Sequence, residues 1–159
     1  MAAPRIIRSC CFLVGGERFA VSAADVAEVL RDGRITRVPH APPAVLGLVH
    51  LRGRIVPVID MRRQLGLPDG VAGGTHLVLR VADEWYSLLV DEMLDVLEVP
   101  ADRIEPPART ASEPPFDAVT GVFAAAESLV HFLDPQRIMQ SLARPREPFL
   151  QRQGVLHGG

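Results

Sequence analysis

An internal duplication constrains the fold of this chain more than any other feature of its sequence. Glu17–Leu30 aligns without gaps with Glu84–Leu97, an offset of 67 residues (84 − 17), and Gly47–Asp60 aligns with Gly121–Asp134, an offset of 74 (121 − 47). The second copy therefore has seven additional residues, which fall in Pro106–Ala118, a proline-rich stretch expected to form a long loop. Two blocks repeated in the same order predict two structural units with one plan.

Each copy consists of short apolar runs separated by glycine and proline. Runs of this length, rich in Val, Ile, Leu and Phe, favour β-strands over helices. Five short strands in each copy predict two small β-barrels. The predicted strands are Cys11–Val14, Phe19–Ser22, Val26–Leu30, Gly47–Leu51 and Arg54–Ile59 in the first copy, and His76–Val81, Trp85–Val90, Leu94–Val99, Thr120–Ala124 and Ser128–Phe132 in the second.

Each copy is expected to end in a short helix that begins at an aspartate. Asp60 precedes Met61–Leu65 and Gly66, which is the order of an N-cap, a helix and a C′ glycine. Asp134 precedes Pro135, and proline is favoured at the first position of a helix because its missing N–H needs no partner there. These two aspartates are therefore interpreted as helix caps and not as catalytic acids.

The residue patterns required for catalysis or metal binding are not found. All seventeen basic residues are arginine, which excludes lysine Schiff-base chemistry and the phosphate-binding loop that ends in Gly-Lys. The five histidines have no metal-ligand spacing, and the serines have no nucleophile-elbow pattern. The Gly15-Gly16 and Gly73-Gly74 pairs are predicted to form hairpin turns. We therefore expect no enzyme activity and no cofactor or metal site.

The cysteines and the N-terminal segment indicate a cytoplasmic protein. Cys10 and Cys11 are neighbours, and in a strand they would face opposite sides, so we expect two free thiols that pack as small apolar residues. The apolar part of Met1–Val14 is too short for a secretory signal. No apolar run approaches the ~18 residues of a membrane span, so no direct membrane insertion is expected.

Nucleic-acid binding is the alternative from another functional class, because small β-barrels often have that function. The net charge is −2, and only eight residues are aromatic, which argues against a basic groove with stacking platforms. Arg31, Arg34 and Arg37 do cluster, but Glu28 and Asp32 are interleaved with them. We therefore expect no nucleic-acid partner.

The two copies differ at one turn. The first copy has Leu51-Arg52-Gly53-Arg54 where the second has Ala125-Ala126-Glu127-Ser128. The planar guanidinium of arginine suits carboxylates and carbonyl clusters. Two interpretations of Arg52 stay open: a bridge between the two halves of the chain, and a contact that binds or shapes a partner site.

The segment Ile35–Leu65 resembles the CheW family of chemotaxis coupling (adaptor) proteins. It has the Val-Pro before a loop, the Leu-Arg-Gly strand turn, and Ile-Val-Pro-Val-Ile-Asp leading into a short helix. The resemblance covers Phe12 to Leu142. It implies a mainly β fold of two pseudo-symmetric five-stranded SH3-like barrels, with a hydrophobic cleft between them and short capping helices. The expected domain organisation is an N-terminal extension over 1–10, one CheW-like domain over 11–142 made of intertwined subdomains (about 11–72 and 73–142), and a flexible tail over 143–159.

By the same resemblance, the protein is a non-catalytic scaffold at membrane-bound receptor arrays in the cytoplasm. Its expected partners are the cytoplasmic hairpin tip of a chemoreceptor, the regulatory domain of a CheA-type histidine kinase, and other CheW-like proteins. A pathway with pilus or second-messenger output is an alternative setting. Three departures from the family pattern leave the partner identities open: His50 before Leu-Arg-Gly, the segment Gly121–Glu127, and the arginine-rich tail. The residues that match the partner-binding positions of the family are Val26, Glu28, Gly47, Arg52 and Phe123.

Overall fold

A computed structural model describes residues 3–31, 33–68, 74–107, 117–126 and 128–143. Most of the expected loop over Pro106–Ala118, and the expected tail after residue 143, lie outside the described residues. Within them the chain forms eleven β-strands and two α-helices. These are β1 (Ile6–Val14), β2 (Glu17–Ser22), β3 (Val26–Leu30), β4 (Ile35–Thr36), β5 (Val45–Leu51), β6 (Arg54–Asp60), α1 (Met61–Gln64), β7 (Thr75–Val81), β8 (Glu84–Val90), β9 (Glu92–Pro100), β10 (Val119–Ala124), β11 (Leu129–Leu133) and α2 (Pro135–Ala143).

The strands form two sheets, and each sheet contains strands from both copies of the repeat. One sheet has the order β10-β11-β2-β1-β9, and the other has the order β3-β7-β8-β6-β5-β4. The first two strands of each copy thus lie in the sheet that holds the remaining strands of the other copy. The boundary predicted near residue 72 divides the sequence repeat, whereas each sheet takes strands from both sides of it. Strand β1 also begins at Ile6, within the predicted N-terminal extension.

The two sheets follow one plan down to the pairing of single residues. Phe12 pairs with Phe19 across β1 and β2, and the residues 67 positions further on, Leu79 and Tyr86, pair across β7 and β8. The register shift at Gly47 in β5 recurs at Gly121 in β10. Each sheet also contains one parallel pair, β6 with β8 and β11 with β2. The duplication in the sequence is therefore a duplication of structure.

Both sheets curl into barrels, which brings the strands at the two ends of each sheet close together. The outermost strands of the six-stranded sheet, β3 and β4, are separated only by residues 31–34. In the other sheet, a 3₁₀ turn over Ala101–Arg103 follows β9 and leads to Glu105, which pairs with Val122 of β10 through two N–H···O bonds of 2.9 and 2.8 Å. The mainly β, SH3-like architecture is confirmed. Strand β4 and the Glu105 bridge were not predicted. They consist of two residues and one residue, respectively, which is too few to show the alternation of apolar and polar side chains along a strand.

The largest apolar cluster lies between the two sheets, where the resemblance implies a hydrophobic cleft, and its central residues are buried. It combines inward-facing residues of both sheets with residues of the helices, among them Phe12, Phe19, Ile59, Leu79 and Ile138. Two smaller clusters occupy the barrels. Cys11, Ala20, Val99, Val130 and Phe132 are buried in the five-stranded barrel, and Val49, Val56 and Val58 are buried in the six-stranded barrel. Cys11 is buried and Cys10 is partly buried, and both are free thiols, as expected.

The two aspartates are helix caps, as predicted. A side-chain oxygen of Asp60 accepts a 3.0 Å hydrogen bond from the amide of Arg62, and Asp134 accepts one of the same length from Gln136. The backbone amides of the same aspartates donate to the carbonyls of Ala44 and Ala118, which are equivalent in the repeat. No helix in the described part of the chain is both long and apolar enough to cross a membrane.

One turn prediction is confirmed and one is wrong. Gly15 and Gly16 have φ values of +60° and +82° and connect β1 to β2. In the second copy the equivalent turn is Ala82-Asp83, with φ values of +51° and +64°, and it connects β7 to β8. Gly74 instead precedes β7, and Gly73 lies outside the described residues. The turn at Ala82-Asp83 was missed because neither residue is glycine. The offset of 67 residues between the copies, applied to Gly15-Gly16, does give these two positions.

Candidate docking site

The centre of the candidate site is an ion pair between two of the predicted residues, Glu28 and Arg52. The Nε atom of Arg52 lies 3.0 Å from Oε2 of Glu28, and the Arg52 side chain is 77% exposed whereas that of Glu28 is 21% exposed. Arg52 occupies the turn between β5 and β6 with φ +50°, followed by Gly53 at +77°. Curling of the six-stranded sheet brings this turn to the edge strand β3. The pair joins two elements of the first copy, so it is not a bridge between the two halves.

Gly47 lies near the start of β5, five residues before Arg52, at a point where two backbones approach closely. A Cβ atom at this position would collide with the carbonyl oxygen of Thr36 and would lie 2.8 Å from the carbonyl carbon. The close backbone approach expected at this glycine is therefore present, and it lies between β5 and β4, the strand that pairs with it. Val26, at the start of β3, pairs with Leu79 and packs against the core between the sheets. These residues together belong to the six-stranded barrel.

Phe123, the remaining predicted site residue, lies in the other barrel. It pairs with Val130 across β10 and β11 and packs, partly buried, against the apolar cluster of that barrel. The guanidinium carbon of Arg103 lies 5.5 Å from the centre of its ring. Of the predicted residues, the structure brings Glu28 and Arg52 into contact, leaves Val26 and Gly47 elsewhere in the same barrel, and places Phe123 in the other barrel.

Exposed apolar side chains at equivalent positions of the repeat were missed by the sequence analysis. Ile55 is 66% exposed, and its equivalent Leu129 is 52% exposed. Because side chains alternate along a strand, Ile55 shares a strand face with Ile59, and Leu129 shares one with Leu133. Ile59 and Leu133 both belong to the core between the sheets. Each of the two strand faces that line this core thus includes an exposed apolar side chain. The repeat alignment places Ile55 and Leu129 at equivalent positions and could have identified them together.

One carboxylate that the sequence analysis does not single out, Asp91, is held in place by the fold. Asp91 forms an ion pair with Arg62 at 2.6 Å, and the side chains are 30% and 25% exposed, respectively. Burial raises the pKa of Asp91, but hydrogen bonds from Arg62 and from the amide of Gly15 outweigh it, so the pKa lies below its usual value. The pairing links residues that are 29 positions apart, so no local pattern could have shown it.

His131, in the middle of β11, packs against an aromatic ring of the neighbouring strand β2. Its ring lies 5.5 Å from that of Phe19, and Nδ1 is 3.2 Å from the carbonyl oxygen of Arg18. Within the described ranges, no group of three or more His, Cys, Asp or Glu side chains is placed to hold a metal ion. The surface features of this chain are thus ion pairs and exposed apolar residues on two barrels.

Fold and site together define a two-barrel β-protein whose surface is suited to docking other proteins. The CheW-like domain family matches residues 8–143, and the chain therefore belongs to this family. Chemotaxis protein CheW of Rhizobium meliloti is 30% identical over 135 residues, which are 84% of this chain and 87% of the relative. Protein FrzA of Myxococcus xanthus is 29% identical over 140 residues, 86% of each chain.

The same architecture is found in a crystal structure, that of the scaffolding protein TtCheW from Thermoanaerobacter tengcongensis. The TM-score is 0.75 at 23% sequence identity, and the match covers 87% of this chain and 89% of the other. The fold predicted from the resemblance is thus confirmed. The chain is a chemotaxis-type adaptor of the CheW family.

Proposed function

We propose that the protein is a non-catalytic adaptor that couples the cytoplasmic hairpin tip of a chemoreceptor to a CheA-type histidine kinase. The observation that carries this proposal is the match to the CheW-like family over residues 8–143. In this role the protein holds receptor and kinase together, and a small rearrangement of the receptor shifts the kinase between active and inactive states. The adaptor then works in the cytoplasm at membrane-bound arrays, without inserting into the membrane itself.

The inter-barrel region and the Glu28–Arg52 pair support a receptor contact. A helical hairpin presents apolar anchors at i, i+3 and i+4, which suit an apolar surface between two barrels. Val26 packs against the apolar core between the two sheets, and the exposed Ile55 lies on a strand face that lines this core. The Arg52 guanidinium, 77% exposed, has a rigid fork of N–H donors that suits a carboxylate on the receptor.

The second barrel supports a separate contact with the kinase. Phe123 is partly buried beneath Arg103 and lies in a different sheet from Glu28 and Arg52. Two locations on two barrels allow two partners to bind at the same time, which an adaptor requires. Other CheW-like proteins are candidate partners at the same surfaces, since they share the two-barrel plan.

Co-sedimentation with receptor-bearing membranes and a CheA-type kinase tests the proposal. We expect the kinase to sediment with the receptor only when the adaptor is present, and its autophosphorylation rate to rise with the adaptor. Sedimentation and kinase activity that are unchanged when the adaptor is omitted would contradict this. A gel-shift assay at low salt tests the nucleic-acid alternative, and we expect no complex.

A second candidate is the same adaptor role in a non-flagellar chemosensory pathway. The observation that favours it is the FrzA match, which covers as large a share of this chain as the CheW match does. Neighbouring genes discriminate between the settings. A receptor methyltransferase and a CheA-type kinase encoded nearby identify the system, and a pilus motor or a cyclase identifies the output.

A further inference from the structure

A pocket of about 530 Å³ lies at the mouth of the six-stranded barrel. Its walls come from the connection between β3 and β4 and from the ends of β7 and β8 that face this connection. The chemistry of the lining is carried by Arg31, Arg34, Ile35, His76 and Leu89, with Gly33 and Gly74 contributing backbone. The volume falls within the range of roughly 300–1,000 Å³ that is typical of small-molecule sites.

The charged groups of this pocket are all basic among the described residues. Arg31 and Arg34 line it, and neither forms an ion pair with another described residue. Asp32, the residue between them in sequence, lies outside the described residues. Two guanidinium groups without a counter-ion among the described residues favour binding of an anion, because arginine binds carboxylate and phosphate through paired N–H donors.

The opposite side of the pocket is apolar. Ile35 and Leu89 line it, and both pack, only partly buried, against the cluster of Val49, Val56 and Val58 inside the barrel. The pocket therefore borders the apolar interior of the six-stranded barrel and exposes Ile35 and Leu89 as its apolar wall. A ligand that places an aliphatic group there removes apolar surface from water, which is favourable by about 25 cal/mol per Å².

His76 forms the inner wall and is 3% exposed. Its Nδ1 atom lies 3.1 Å from the hydroxyl of Ser87, and a Cβ atom on Gly33 would lie 2.7 Å from its Nε2 atom. Burial lowers the pKa of His76, so its ring is neutral at pH 7 and the positive charge of the pocket comes from the arginines.

The lining is specific to one half of the repeat. At an offset of 67 residues, the other barrel has Ser9 at the position of His76, Ala20 at that of Ser87 and Ser22 at that of Leu89. The barrel plan therefore does not require the histidine or the leucine. Packing does not require this combination of lining residues, so the combination indicates a role other than stabilising the fold.

We propose that this pocket binds a small amphiphilic organic anion, whose carboxylate contacts Arg31 and Arg34 and whose aliphatic part contacts Ile35 and Leu89. This site is independent of the adaptor function. Medium-chain fatty carboxylates have this combination of one negative charge and a short flexible chain.

Octanoate is the probe, with octanol and sodium sulfate as matched controls that lack the charge and the chain, respectively. In ¹H–¹⁵N NMR titrations of the full chain, we expect octanoate to shift the Nε–H signals of Arg31 and Arg34 and the ring signals of His76 with saturation. We expect octanol and sulfate to bind at least tenfold more weakly. The double variant Arg31→Ala/Arg34→Ala should weaken octanoate binding at least tenfold, and Arg37→Ala, which removes an exposed charge just after β4 and outside the pocket lining, should leave it unchanged.

Three results would overturn the proposal. The first is a shift that grows linearly with octanoate and never saturates. The second is octanol or sulfate binding as tightly as octanoate. The third is an Arg37→Ala effect equal to that of the double variant, which would show a general charge effect. Backbone spectra of each variant, compared with those of the unmodified chain, show whether the fold is intact.

Discussion

Arg62 and Asp91 form a two-point ion pair, with Nη2 2.6 Å from Oδ2 and Nε 2.8 Å from Oδ1. The Asp91 carboxylate also accepts a 2.8 Å hydrogen bond from the amide of Gly15, and Arg62 donates a 3.0 Å bond to the carbonyl of Pro68. Arg62 lies on α1, Asp91 on the connection between β8 and β9, and Gly15 on the β1–β2 turn. This contact therefore ties the two barrels together through one carboxylate.

Replacing Asp91 by asparagine should lower the free energy of unfolding by about 1–3 kcal/mol, because Arg62 then loses its counter-ion in a partly buried place. Urea denaturation at pH 7 measures the difference. The control is Asp83→Asn, which breaks an exposed pair with Arg80 at 2.9 Å and should cost at most about 1 kcal/mol. Equal effects of the two variants would show that the Asp91 contact is an ordinary surface pair.

The stability that Asp91 provides should depend on pH in a defined direction. Its pKa is lowered in the folded state, so the stabilisation is present above the ordinary pKa of 3.8 and is lost as the pH falls through the lower folded value. The difference between the unmodified chain and Asp91→Asn should therefore be constant from pH 7 to about pH 5 and shrink at lower pH. A difference that grows below pH 5 would contradict the direction of the pKa shift.

The sequence predicts what depends on neighbouring residues and misses what depends on distant ones. All ten predicted strands and both capping aspartates are present, because glycine, proline and apolar patterns report local backbone preference. The pairing of β1 and β2 with β9 and β11 has no local signal, because a repeat shows that two units are alike and not how they exchange strands. The Glu28–Arg52 contact likewise depends on how the sheet curls.

The strand exchange predicts that neither half of the chain folds alone. A fragment over 1–72 lacks β7 and β8, which lie in the middle of the six-stranded sheet between β3 and β6. Its remaining strands would expose unpaired edges and the core between the sheets. We expect fragments 1–72 and 73–159 to unfold without cooperativity when separate, as measured by circular dichroism during heating. A cooperative transition in either fragment would show that one half forms an independent barrel.

Gly47→Ala should be among the most damaging substitutions of a small residue. The added Cβ meets the backbone carbonyl of Thr36, which cannot rotate away as a side chain can, so β4 must move from β5. We expect a loss of at least about 2 kcal/mol of unfolding free energy. The control is Gly53→Ala, where nothing lies within 4 Å and only the φ of +77° opposes the substitution, at a cost of about 1–2 kcal/mol. If Gly47→Ala costs no more than the control, the close approach is relieved easily.

His76 should reduce the stability of the protein in mild acid. Burial lowers its pKa in the folded state, so the unfolded chain takes up a proton at a higher pH than the folded chain. The free energy of unfolding should therefore fall as the pH decreases below the ordinary value of 6.5. In His76→Asn, whose amide can still bond to Ser87, this decrease should be smaller. Urea denaturation at pH 7.5, 6.5 and 5.5 measures it, and equal slopes for both proteins would exclude His76 as the source.

Arg52 allows the adaptor function to be separated from folding. Its φ of +50° is unfavourable for any residue except glycine, so Arg52→Gly removes the guanidinium and relieves backbone strain at the same position. We expect the melting temperature to stay within a few degrees of that of the unmodified chain, since Arg52 is largely exposed and solvent screens its pair with the less exposed Glu28, so the pair contributes at most about 1 kcal/mol. Kinase activation in the presence of receptor should fall severalfold, because the exposed guanidinium is the group proposed to contact the receptor. Arg80→Ala, which removes another exposed, ion-paired arginine, should leave activation unchanged. Normal activation by Arg52→Gly would exclude the guanidinium from the receptor contact, and a collapse in its melting temperature would instead make Arg52 a structural residue.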